Sequence, residues 1–106
     1  MTKGTFDMNH ALFAIYTHPR ETWIQQKGFL HERIIPMVKS QPGFMAGTWT
    51  YDEKESRTYG CVKFGTEAEA RALETFLRDE ATRQNPMGVA MISIVVTEVI
   101  GEASAT

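Results

Sequence analysis

Three histidines, one cysteine, two tryptophans and a short acidic run are the side chains here that could carry chemistry. His10 and His18 share strand parity but lie eight residues apart. In an extended chain that is about 26 Å, too far to share one metal ion. His31 falls in a helical stretch, where its neighbours one turn away are Lys27, Ile34 and Ile35. None of these is a ligand, so a two-histidine helical metal motif is missing and no metal site is expected. Cys61 stands mid-strand without a charged residue beside it, which reads as a buried, inert thiol rather than a nucleophile. The Asp52-Glu53-Lys54-Glu55 run reads as a solvated hairpin, neither an acid pair nor a metal loop. Trp23 and Trp49 read as large apolar anchors of a core or a dimer. There is no glycine-rich phosphate loop and no nucleophile elbow.

The elements that must position these residues alternate in type. His10 to His18 reads as the first strand. Pro19-Arg20-Glu21-Thr22 is a helix start, with proline and an acid where the helix tolerates them best. The first helix then runs to about Ile35, with Trp23, Lys27, Leu30 and Ile34 on one face. Lys27 lays its alkyl stem along that face. Pro36 strains a continuing helix, leaving Met37 to Lys39 as a final turn or a kink. Gln41-Pro42-Gly43 stops it. Phe44 to Tyr51 and Arg57 to Phe64 read as two strands joined by the charged hairpin. Thr66 and Glu69 form a capping box for a second helix reaching Arg83, with Ala70, Leu73, Leu77 and Ala81 inward. Gln84 to Gly88 reads as a loop, and a fourth strand runs from Val89 to Ile100. Polar tails flank this core at both ends.

The order β-α-β-β-α-β predicts an α+β, ferredoxin-like domain spanning about residues 10–100. Right-handed crossovers put both helices on one face of a four-stranded antiparallel sheet. The fourth strand, however, is apolar on both parities: Val89, Met91, Val95 and Val99 on one, Ala90, Ile92, Ile94, Val96 and Ile100 on the other. A strand apolar on both sides must be buried on both. The sequence therefore predicts a homodimer, with a second copy of the sheet covering the bare face.

Composition narrows the class. A chain of 106 residues, 42% hydrophobic, fits one domain that needs no metal or disulfide to hold its core. A net charge of −2 and dispersed basic residues point away from nucleic acid. Arg71 and Arg78 follow Glu67 and Glu74 by four residues, as in a solvated helix face. A single cysteine cannot form an intrachain disulfide. With neither a signal-peptide core near the first residues nor a run of about 20 apolar residues, a cytoplasmic protein without a membrane span is expected.

Pro42-Gly43-Phe44 after a helix, then Gly47-Thr48-Trp49, a strand closing on Val62-Lys63-Phe64, and Thr66-Glu67-Ala68-Glu69-Ala70 resemble the antibiotic-biosynthesis monooxygenase family. The resemblance spans about residues 10–100. It implies a dimeric α/β barrel, with a pocket between sheet and helices in each subunit. It also implies oxidation of small aromatic molecules without metal or flavin, or haem degradation in related proteins. A tryptophan used by both groups falls at Phe64 here. The asparagine and histidine of the haem degraders have no counterpart, because the first strand has no asparagine and the second helix no histidine. This argues against haem degradation.

Parity alone leaves open which strand face meets the helices. The resemblance implies the face of Phe64, which places Gly60, Val62 and Phe64 in the pocket opposite Trp23 and Leu30. Tyr16 is then a candidate polar tip, and His31 borders the cleft. Gly60 leaves room on its strand for a neighbour or a ligand. The expectation is a cofactor-independent monooxygenase-like protein that acts on or binds a small aromatic or apolar molecule. The alternative is a non-catalytic dimeric module of the same fold that binds a ligand or a partner.

Overall fold

A computed structural model describes residues 9–83 and 88–105. The loop expected over 84–88 and the polar tail at the start lie almost wholly outside the described residues. Four strands form one antiparallel sheet in the order β2-β3-β1-β4. They are β1 His10–Thr17, β2 Phe44–Asp52, β3 Arg57–Phe64 and β4 Ala90–Glu98. β1 pairs with β3 through Leu12↔Val62 and with β4 through Leu12↔Val96. β2 pairs with β3 through Trp49↔Gly60, with an irregularity between Phe44 and Ala46. This is the ferredoxin-like arrangement expected from the order of the elements.

The first crossover departs from a simple helix. A short 3-10 turn at Arg20–Thr22 leads into α1 Trp23–Phe29, a π turn at Leu30–Ile34 and α2 Ile35–Lys39. The final turn or kink expected at Met37 to Lys39 is thus α2, entered through the π turn. Pro36 lies at the start of α2, where its missing N–H is not needed. The wide turn before it closes with the Ile35 N–H bonded to the Leu30 carbonyl, five residues back. The helical path thus passes a proline that would break a regular α-helix.

The second crossover is α3 Glu67–Glu80. The Thr66 side chain accepts from the Glu69 N–H at 3.2 Å, which is the first half of the expected capping box. The Glu69 carboxylate turns instead toward Gly43. A Cβ built on that glycine would stand 1.9 Å from Glu69 Oε1, and its φ is +80°. The left-handed φ calls for glycine in the Pro42-Gly43-Phe44 step, and the Glu69 carboxylate occupies the space that the missing side chain leaves. On the outer side of α3, Glu67, Arg71, Glu74 and Arg78 form the ladder of ion pairs expected from their spacing.

The core lies between α3, α2 and one face of the sheet. Leu12, Val62, Phe64 and Val96 come from the strands, Val38 from α2, and Ala70 and Leu73 from α3. Fully burying side chains of this size contributes about 1.5–3 kcal/mol each. The opposite face carries no element among the described residues. Cys61, Phe13 and Val95 lie there in one row across β3, β1 and β4. Phe13 is 44% exposed and Val95 45%. Cys61 is half-buried on this face, its thiol pushed up by burial and drawn partly back by Lys63.

Candidate functional site

β1 ends at Thr17 because His18 and Pro19 turn the chain toward α1. The Pro19 carbonyl accepts from the Thr22 N–H at 3.1 Å and the Thr22 hydroxyl at 2.9 Å, fixing the turn. Across the sheet, the Asp52–Ser56 hairpin folds on itself. Asp52 Oδ1 accepts from the N–H groups of Lys54 and Glu55 at 3.0 and 3.3 Å. Ser56 takes a left-handed φ of 55°. There it donates its hydroxyl to the His18 carbonyl at 2.6 Å, while its own carbonyl accepts from the His18 N–H at 3.2 Å. Arg20 also donates to the carbonyls of Glu53 and Lys54. The hairpin read from sequence as a solvated loop is clasped to the end of β1, and the clasp holds His18.

His18 is 5% exposed. Its ring stacks on Trp23 at 5.5 Å between centroids and on Tyr51 at 5.6 Å. Trp23 and Tyr51 lie face to face at 3.7 Å and 7°. His18 Nε2 is 3.1 Å from the Thr58 hydroxyl, and Nδ1 is 3.5 Å from the Pro19 carbonyl oxygen.

Beside this stack opens a cavity of about 150 Å³. Its walls are Trp23, Lys27, Leu30 and His31 from the first helical path, Trp49, Thr50 and Tyr51 from β2, and Thr58 from β3. Trp49 lies on a seat of two glycines. A Cβ at Gly47 would approach its ring to 2.7 Å, and one at Gly60 to 3.1 Å. Three large aromatic residues, Trp23, Trp49 and Tyr51, stand in the wall with two threonines, Thr50 and Thr58, and two basic side chains stand on α1 and the π turn. Lys27 has no ion-pair partner among the described residues. Nor do any three His, Cys, Asp or Glu residues gather there as a metal site would need.

The residues expected at the site separate into two groups. Trp23 and His31 line the cavity. Gly60 lies under the Trp49 ring and serves the neighbour rather than leaving open room. Val62 and Phe64, expected opposite Trp23 and Leu30, lie in the core at 3% and 0% exposure. Phe64 meets Phe44 edge to face at 6.5 Å. Their face is the helix-side one, but they sit further along β3 than the cavity. Tyr16 packs half-buried against the core, its hydroxyl pushed up by burial.

The site reading from sequence missed Lys27, Trp49, Thr50, Tyr51 and Thr58 of the cavity wall, and His18 stacked behind it. A signal for Trp49 existed, because glycines at 47 and 60 clear the space a large ring needs. His18 had no such signal, since its burial depends on a hairpin nearly 40 residues away.

No family model matches the sequence, and no curated protein does. Solved structures share the fold. A monooxygenase, ActVA-Orf6 of Streptomyces coelicolor in complex with nanaomycin D, is similar at a TM-score of 0.65 and 12% identity, over 93% of this chain and 94% of that one. MhuD, a haem-degrader from Mycobacterium tuberculosis solved with two haems in its active site, is similar at 0.62 and 20%, over 91% and 99%. MupZ from Pseudomonas fluorescens is similar at 0.64 and 10%, over 91% and 72%. At these identities the likeness is one of fold, the fold of the antibiotic-biosynthesis monooxygenases.

Proposed function

We propose that this protein binds a small planar aromatic molecule in the cleft between β2 and the first helical path, and is monooxygenase-like in that role. The carrying observation is the wall of Trp23, Trp49 and Tyr51 around a cavity of about 150 Å³. A cavity of that size accepts one benzene-sized ring, and aromatic walls reward a flat ligand through stacking. A larger fused ring system would extend past Lys27 and His31 at the rim.

The residues present do not fit haem. The cavity is far smaller than a porphyrin. The buried histidine, His18, points Nε2 at Thr58, and His31 is an exposed side chain of the rim.

A second reading is a ligand-binding module without turnover. It is favoured by Phe64, which takes the place of a tryptophan used by the family and is sealed in the core. Tryptophan fluorescence and oxygen uptake with a panel of quinols separate the two. Quenching with uptake supports the oxygenase, and quenching alone supports the module. A panel that leaves the fluorescence unchanged removes both.

The proposed assembly is a one-domain homodimer packed through the row Cys61, Phe13 and Val95. Leaving those apolar groups in water forfeits their burial. Sedimentation should give twice the 12.0 kDa chain mass, and Val95→Lys should give the single-chain mass. No helix of the described residues is long and apolar enough to cross a membrane; the cytoplasmic location is proposed on the sequence alone.

A further inference from the structure

We infer that Thr58, oriented by His18, is a hydrogen-bond acceptor in the cleft wall that selects aromatic ligands carrying a hydroxyl group. The inference rests on the proposed cleft and adds the chemistry of its ligand.

The argument begins at Nδ1 of His18. The polar atom facing it is the Pro19 carbonyl oxygen, 3.5 Å away. A carbonyl only accepts, so a bare lone pair on Nδ1 would face another lone pair and be repelled. The proton of the neutral ring therefore belongs on Nδ1. No carboxylate pairs with the ring among the described residues. With Nδ1 protonated, Nε2 is an acceptor.

Among the described residues, the partner of Nε2 is the Thr58 hydroxyl at 3.1 Å. Threonine has one hydroxyl proton, and it must go to Nε2. Thr58 lines the cavity, and what its hydroxyl can offer a ligand there is the lone pairs that remain on Oγ1. Serine or threonine hydroxyls ordinarily rotate to serve either role. Here the buried imidazole removes that choice. A phenol or naphthol can donate to such an oxygen, whereas its methyl ether cannot and would leave the acceptor unpaired. Thr58 is the binding residue, and His18 is a positioning residue that acts through it.

The test uses the full chain labelled with 15N and a matched ligand pair, 2-naphthol and 2-methoxynaphthalene. Long-range 1H–15N correlation reports the tautomer directly, which coordinates without hydrogens cannot. His18 should show protonated Nδ1 and bare Nε2. A proton on Nε2, alone or with Nδ1, overturns the inference. In calorimetric titrations the wild type should prefer the naphthol by on the order of tenfold, about one hydrogen bond. Thr58→Val should lose that preference, and Thr58→Ser should keep it. Equal affinities in the wild type, or a preference surviving in Thr58→Val, overturn the inference while leaving the cleft intact. If the wild type binds neither ligand, the cleft reading falls and the inference falls with it. Should Thr58→Val fail to fold, the tautomer and the wild-type preference decide.

Discussion

The rings of Trp23 and Tyr51 lie 3.7 Å apart and within 7° of parallel, although one belongs to α1 and the other to β2. The stack ties the first helical path to the sheet edge and forms one end of the cleft. An aromatic pair contributes about 0.5–1.5 kcal/mol beyond its buried area. Trp23→Ala should therefore cost about 2 kcal/mol in urea denaturation, since Trp23 is only half-buried. It should also weaken an aromatic ligand by roughly tenfold. Trp23→Phe should restore most of both.

Gly43 and Glu69 make a second separable pair. Gly43→Ala should cost about 1–2 kcal/mol for a β-carbon at positive φ, plus the displacement of the Glu69 carboxylate. In a Glu69→Ala background the second part vanishes, because the clash is with a side-chain end and the cap uses the Glu69 backbone N–H. The double-mutant cycle in urea should thus show coupling. Strict additivity would contradict the contact.

Phe64 tests whether its position serves chemistry or packing here. Phe64→Ala should lose about 3–5 kcal/mol of stability, a large share of the ~5–15 kcal/mol typical of a domain. Phe64→Leu should fold and bind an aromatic ligand as the wild type does, because the side chain does not reach the cleft. A tenfold loss of affinity in Phe64→Leu at unchanged stability would place it at the site.

Tyr16 predicts the alkaline limit. Burial raises its hydroxyl above the ordinary value of 10.0, so the folded protein holds that proton more tightly than the unfolded chain. Its contribution is intact below pH 10 and is lost as pH rises through the folded value. Denaturation midpoints should fall above pH 10, and Tyr16→Phe should reduce that slope. An identical slope in the variant would show that other groups set it.

Much of the fold is legible along the chain. Short apolar runs mark the strands, with β4 apolar on both parities, Thr66 marks the start of α3, and Pro42-Gly43 marks the end of the first helical path. The passage through Pro36 was not legible, because a π turn leaves no spacing of its own in so short a segment. The site was partly legible. Trp23, Lys27 and Leu30 lie on the helical face that the spacing predicts, with His31 beside it, whereas His18 looks like any strand-end histidine.

The sequence by itself determined the order of the elements, the glycine at 43 and the surplus of apolar residues on both parities of β4. These are properties of spacing and composition, which act within a few residues of one another. Only the tertiary structure decided that His18 is buried against Trp23 and Tyr51, and that Thr58 meets its Nε2. Those contacts join residues from 5 to 40 positions apart. They exist because the Ser56 hairpin closes over the end of β1, and no local pattern encodes that closure.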